Sequence, residues 1–175
     1  MMLLSQAITD KNILSLRVGE VIANSFTPII NPNNLKIEGF FAQERGVKST
    51  CVLLSQDIRE ILPQGFVVND HEVLSDPDDL IRLKKVIDIA FELIGKKVIT
   101  VTGKKLGKVN DYAVDSSSLI IQKLFVSPNI IKSLGLGSLS IDRTQITEIT
   151  DKKIVVKDLE AKAPSRSSKQ SLATA

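Results

Sequence analysis

The sequence is poor in the residues that usually carry chemistry: its 175 residues include one cysteine, Cys51, one histidine, His71, and no tryptophan. A single cysteine excludes an internal disulfide and a four-cysteine zinc site. Aromatic residues make up 4% of the chain, so aliphatic side chains must fill any interior. That scarcity also argues against a surface built to stack nucleic-acid bases. No run approaches the roughly 18 to 20 apolar residues of a membrane-spanning helix, and Met1-Met2-Leu3-Leu4 is followed at once by Ser5 and Gln6. The expectation is a soluble, cytoplasmic protein without a membrane span. Glycine-rich phosphate loops are lacking too: Gly135-Leu136-Gly137 runs into Ser138, and neither Gly95-Lys96 nor Gly103-Lys104 completes a P-loop.

What is present suffices for a core. Hydrophobic residues make up 43% and charged residues 25%, in a length that suits one ordinary domain or two very small ones. The net charge of +3 is unevenly divided: residues 1–88 carry 9 basic and 12 acidic side chains, residues 89–175 carry 14 and 8. A basic second half attracts anionic surfaces and says nothing about fold.

Asp76-Pro77-Asp78-Asp79 puts a capping side chain, a first-turn proline and two acids where a helix would begin. Leu80, Leu83, Ile87, Ala90 and Ile94 follow at intervals of three or four, and Gly95 offers a left-handed stop. This pattern predicts one amphipathic helix over about 77–94. Elsewhere, short runs rich in Val, Ile and Leu alternate with Gly, Asn, Asp, Ser and Pro clusters, which reads as strands. In the second half these are 97–101, 107–114, 119–126, 139–142, 146–150 and 154–158.

The first half repeats the second. Val18-Gly19-Glu20-Val21 corresponds to Leu106-Gly107-Lys108-Val109, Gln56 to Ile61 corresponds to Thr144 to Ile149, and Phe66 to Asp70 corresponds to Ile154 to Asp158, all at an offset of 88. Between these anchors Leu35 to Phe41 aligns with Leu119 to Phe125 at an offset of 84. Two copies of a strand-rich unit suit two small antiparallel barrels, closed to hide their edges. The expected divisions are 1–74, a connecting helix over 75–94, a second barrel over 95–160 and a disordered tail over 161–175. Gly19 and Gly107 are expected to permit a bulge or close backbone approach. Ile146, Val155 and their counterparts Ile58 and Val67 are expected to carry stability.

Leu93-Ile94-Gly95-Lys96-Lys97-Val98, Gly103-Lys104-Lys105-Leu106-Gly107-Lys108-Val109, Val114-Asp115 and the ending Ile146 to Asp158 together resemble the PRC-barrel family. That family includes the cytoplasmic barrel of the photosynthetic reaction centre H subunit and the C-terminal barrel of the ribosome maturation protein RimM. The first unit matches more weakly, keeping Val18 to Val21 and the Gln56 to Asp70 ending. The resemblance implies a non-enzymatic interaction or scaffold module with no cofactor and no shared catalytic residues. A protein partner is expected, and the alternative is a RimM-like factor that binds a ribosomal protein or ribosomal RNA.

Candidate sites are few. His71, between Asp70 and Glu72, has no second ligand at metal spacing, and Cys51 sits in a strand-like run typical of a buried thiol. The acids of 76–79 are accounted for by helix capping. Lys96, Lys97, Lys104, Lys105, Lys108, Lys152 and Lys153, with Lys157, fall at neighbouring turns where they could form one basic face. Ile130, Ile131, Leu134 and Leu136 place four aliphatic side chains in a loop, a candidate patch for a partner or a second copy of the chain.

Overall fold

The computed structural model describes residues 1–128 and 138–158; Ile130, Ile131, Leu134, Leu136 and the segment 161–175 lie outside the described residues. The chain opens with β1 (Met2–Leu4). It continues through β2 (Asn12–Ser15), β3 (Val21–Asn31), β4 (Lys36–Glu44), β5 (Thr50–Leu54), β6 (Glu60–Leu62), β7 (Gly65–Val68) and β8 (Leu74–Ser75). Helix α1 (Ile81–Ile89) leads into β9 (Lys97–Thr100), β10 (Lys105–Asp115), β11 (Ile121–Ser127), β12 (Leu139–Asp142), β13 (Ile146–Ile149) and β14 (Lys153–Val156).

Two seven-stranded sheets result, ordered β6-β7-β2-β3-β4-β5-β8 and β13-β14-β9-β10-β11-β12, the second completed by β1 on β10. Apart from β8 and β1, the two orders coincide strand for strand. Register fixes the correspondence. Ile13 pairs with Ala23 and lies beside Phe66, while Val98 pairs with Gly107 and lies beside Ile154. The counterpart of Gly107 is therefore Ala23, not Gly19. Gly19 sits in the bend before β3 with φ +71° and open space around it. Gly107, at φ +141°, presses against the Ser127 carbonyl inside β10, next to a register shift in the β9 ladder. Only the second glycine has the expected role.

Neither sheet closes, and neither is purely antiparallel. One feature of the chain accounts for both departures. Strands β5 and β12 end in 3₁₀ turns, Ser55–Asp57 and Arg143–Gln145, that carry the chain forward without reversing it. Strands β6 and β13 therefore run in the same sense as the strands before them, and each following strand meets the first strand of its sheet in parallel, β7 on β2 and β14 on β9. The second turn is locked at both ends: Thr144 N donates to Asp142 Oδ1 at 3.0 Å and Asp142 N donates to Gln145 Oε1 at 2.7 Å. Curvature survives the open seam. Six flat strands would put β12 and β13 ~24 Å apart, whereas the four steps from Asp142 to Ile146 span at most ~14 Å, so the sheet must curl.

The interior is shared. Ile13, Ile37, Phe40, Leu53 and Phe66 from the first sheet and Val98, Val109, Leu124, Ile141 and Ile154 from the second join one contiguous buried cluster. Two closed barrels would each hold an interior of their own, but units of this size bury too little surface alone. The inward positions of the returning strands are Phe66 and Val68, Ile154 and Val156, each fully buried. Val67 is also buried, but Val155, Ile58 and Ile146 are half-buried at the margin. The weight of the core thus falls one residue away from where the repeat suggested for β14.

Two hairpins clasp the halves together. Ile37 N donates to the Leu119 carbonyl and Ile121 N to the Leu35 carbonyl, both at 2.9 Å, around an antiparallel bridge between Lys36 and Ile120. Leu35 and Leu119 both adopt left-handed backbone, φ +56° and +54°, and both are buried, at 3% and 4% exposure. A left-handed leucine costs about 1–2 kcal/mol, and its burial returns about 1.5–3 kcal/mol. Glycine would relieve the strain but lose the greater stabilisation that burial of the leucine side chain provides. Strand β1 adds a second link, pairing Met2 to Leu4 with Asp115 to Ala113 of β10.

The helix is shorter than its pattern. Asp76 does cap, accepting from Asp78 N at 2.9 Å, but it caps a 3₁₀ turn over Pro77–Asp79. Leu80, Leu83, Val86 and Ile87 pack with Ile29 and Val52 of the first sheet. Ala90, left-handed at φ +48°, ends the helix, because Phe91 and Leu93 leave its axis to join the shared interior. Gly95 turns the chain into β9 instead, its N–H donating to the Val109 carbonyl at 2.7 Å.

Two outcomes follow for stability. Gly107→Ala forces a methyl group against the Ser127 carbonyl and should lose more than about 3 kcal/mol, whereas Gly19→Ala meets only backbone strain and should lose about 1 kcal/mol; urea titrations of the two variants check the contrast. Asp115 Oδ2 accepts from the Ser118 hydroxyl at 2.7 Å and the Ser118 N–H at 3.0 Å. Those bonds hold its carboxyl below the ordinary 3.8, assisted by the chain-terminal ammonium. A depressed native value means the stabilisation is present above about pH 4 and is lost as pH falls through that lowered value. Asn31, the counterpart of Asp115, receives the Asn33 N–H at 3.1 Å in the first hairpin, so Asp115→Asn should still fold, but it should be less stable than the parent at neutral pH, converge with it below about pH 4, and show a flatter dependence of the denaturation midpoint on acid pH.

Candidate functional site

The predicted basic residues do not form one even patch. Strand alternation points Val98, Val109 and Ile154 inward and leaves Lys97, Lys108 and Lys153 exposed on the opposite side. Lys108 is directly opposite Lys97 in the β10–β9 ladder, and Lys97 is directly beside Lys153 in the β9–β14 ladder. Three lysines thus stand in a row across adjacent strands, ~4.8 Å apart at the backbone. Lys105 occupies the next row, opposite Ile99, which lies beside Val155.

Lys96 is committed elsewhere: its Nζ donates to the Asp151 carbonyl at 2.6 Å and lies 4.5 Å from the centre of the Phe91 ring. Lys152 joins Lys97 and Lys108 around a shallow hollow of about 390 Å³ that also takes in Ile94, Glu92 and Asp151. Lys104 lies at the β9–β10 turn, its N–H donating to Thr100 Oγ1 at 3.1 Å. Among the described residues, no carboxylate lies within 4.0 Å of the Lys97, Lys108 or Lys153 ammonium groups.

Like charges directly opposite one another in a ladder are destabilising. Two ammonium groups held 5 Å apart in water would repel by about 0.8 kcal/mol. The first sheet shows that the fold does not require them. By the same register Lys97, Lys108 and Lys153 correspond to Asn12, Asn24 and Gly65, and Asn24 Nδ2 donates to Asn12 Oδ1 at 2.7 Å. A neutral hydrogen-bonded pair fills the place that the second sheet gives to opposed cations.

The other candidates stand apart from this face. His71 is exposed at the start of a 3₁₀ turn, capped by Asp70. Cys51 is half-buried on β5 with its thiol 3.3 Å from the Ala42 carbonyl, and burial pushes its pKa up, away from the reactive thiolate. Among the described residues no three His, Cys, Asp or Glu side chains cluster as metal ligands, and no helix is long and apolar enough to cross a membrane.

Sequence patterns give no sign of a second hollow, about 510 Å³, where the β1–β2 segment meets β3, β10 and the segment after α1. Ile30, Phe91, Leu93 and Tyr112 supply its apolar wall, and Ser5, Thr9 and Glu92 part of its polar rim. Burial, with the neighbouring Asp111 carboxylate, pushes the Tyr112 hydroxyl up to about 12, and Ser5 Oγ donates to Asp111 Oδ1 at 2.6 Å. The hollow exists because segments about a hundred residues apart meet, which no local spacing announces.

Comparison with known families places the PRC-barrel domain on residues 88–164. This supports that family for the part of the chain that holds β9 to β14 and the lysine row. No curated protein matches the chain.

Proposed function

We propose that the protein is a non-enzymatic interaction module built from two PRC-barrel-type units, the first divergent and the second carrying the binding face. The observation that carries this reading is the shared strand order of the two sheets, joined to the family match on the second. Two copies of one scaffold, clasped through Leu35 and Leu119, hold their outer faces in a fixed relation. The sharpest difference between those faces is charge. A platform with a differentiated surface and, among the described residues, no cluster of metal-ligating groups is suited to holding a partner. On this reading the protein works in the cytoplasm.

A RimM-like role in ribosome maturation is the second reading, favoured by the exposed lysines of the second sheet. Cross-linking the full-length protein in its native cell, followed by mass spectrometry of the linked peptides, separates the two. The first reading expects links from the second sheet to a protein outside the ribosome. Links to a ribosomal protein or to ribosomal RNA, with ribosome co-sedimentation lost at moderate salt, would establish the second instead. Recovery of the protein with no macromolecular partner at any cross-linker concentration would overturn both.

A further inference from the structure

We propose that the outer face of β10, β9 and β14 docks an acidic amphipathic helix of a partner protein, laid across the strands along the Lys108–Lys97–Lys153 row. This rests on the interaction-module reading and names the chemistry of its partner. Three observations carry it.

The first is that the charge is not structural. The matching positions of the first sheet hold Asn12, Asn24 and Gly65 in the same ladders, so opposed lysines are an added cost that the architecture does without. An anionic partner relieves that cost on binding.

The second is spacing. The three strands set the outer lysines ~9.6 Å apart along a line perpendicular to the strands. On a helix, acidic side chains at i, i+4 and i+7 cover about 10.5 Å on one face, close to the lysine row. Acids on one face of an extended peptide recur every ~6.8 Å and fall out of step by the third lysine.

The third is the apolar surface beside the charges. Ile99 and Val155 are half-buried in the row next to the lysines, and Ile94, at 49% exposure, borders the hollow lined by Lys97 and Lys108. A row of cations beside a row that pairs Lys105 with Ile99 and Val155 suits a helix with an acidic stripe flanked by leucines. Every described basic residue of this face is lysine, which supplies point charges without the planar fork that reads phosphate bidentately. Aromatic platforms for bases are lacking in the row itself.

The probes are synthetic helical peptides measured by fluorescence anisotropy against the full chain. One carries Glu at i, i+4 and i+7 with leucines alongside; a second has the same composition with its acids spread round the helix; the third probe is a short RNA duplex. The striped peptide should bind at least tenfold more tightly than the permuted one. The double variant Lys97→Asn, Lys108→Asn copies the pair already present in the first sheet, so it should fold. It should weaken striped-peptide binding at least tenfold while raising the melting temperature, because the repulsion is gone. A purely structural role for these lysines predicts a lower melting temperature instead, and that result would overturn the proposal. So would equal binding of the two peptides, or tighter lysine-dependent binding of the RNA duplex, which would make nucleic acid the occupant. Cross-links from a cellular partner that map to another face would overturn this inference and leave the interaction-module reading standing.

Discussion

The reciprocal pair of hydrogen bonds between Leu35 and Ile121 and between Leu119 and Ile37 governs how the rest of the molecule is arranged. Each hairpin gives the other one carbonyl and one N–H at the same geometry, so the two halves meet about a local pseudo-two-fold relation. The left-handed leucines make this possible. Their carbonyls are turned outward for the partner hairpin while their side chains go into the shared interior. Neither half completes its core without the other, and that is why one cluster replaces two.

The open seam of each sheet has the same kind of origin. A hairpin between β12 and β13 would have closed the ladder and kept every neighbour antiparallel. The 3₁₀ turn with its capping box leaves the seam unpaired and lets the sheet curl by chain connection. Curling matters for the surface, because strand alternation then sends Val98, Val109 and Ile154 to the concave interior and the row of lysines on the same three strands to the convex outside.

Much of this was legible in the sequence, and the misreadings have physical causes. The matching strand order was visible because hydrophobic alternation and polar turns recur together, and Leu35 against Leu119 and Gln56 against Thr144 hold matching places in the two left-handed hairpin ends and the two 3₁₀ turns. The match of Gly19 with Gly107 failed because a glycine in a bend and a glycine against a neighbouring carbonyl look alike as letters. Their difference is long-range, set by Ser127. The helix was over-extended because Ala90 and Ile94 fit its period, while Phe91 and Leu93 are drawn into a core that no local window contains. The basic face was readable as a set of lysines but not as a row. Opposition across strands depends on register, and Lys97 comes between Lys108 and Lys153 only once β14 has returned in parallel beside β9.

The matching strand orders of the two sheets also bear on how such a row can persist. A unit standing alone would lose stability to opposed cations with nothing to compensate. Here the shared interior, the clasp and the β1–β10 pairing use none of the three lysines of the row, so the outer face of the second sheet can change without disturbing them. Asn12 and Asn24 in the first sheet show the neutral alternative at the same fold position. The row of opposed lysines thus sits where the scaffold tolerates it, on a face whose inward neighbours are already fixed. Binding energy can be placed there without altering the core that holds the platform together.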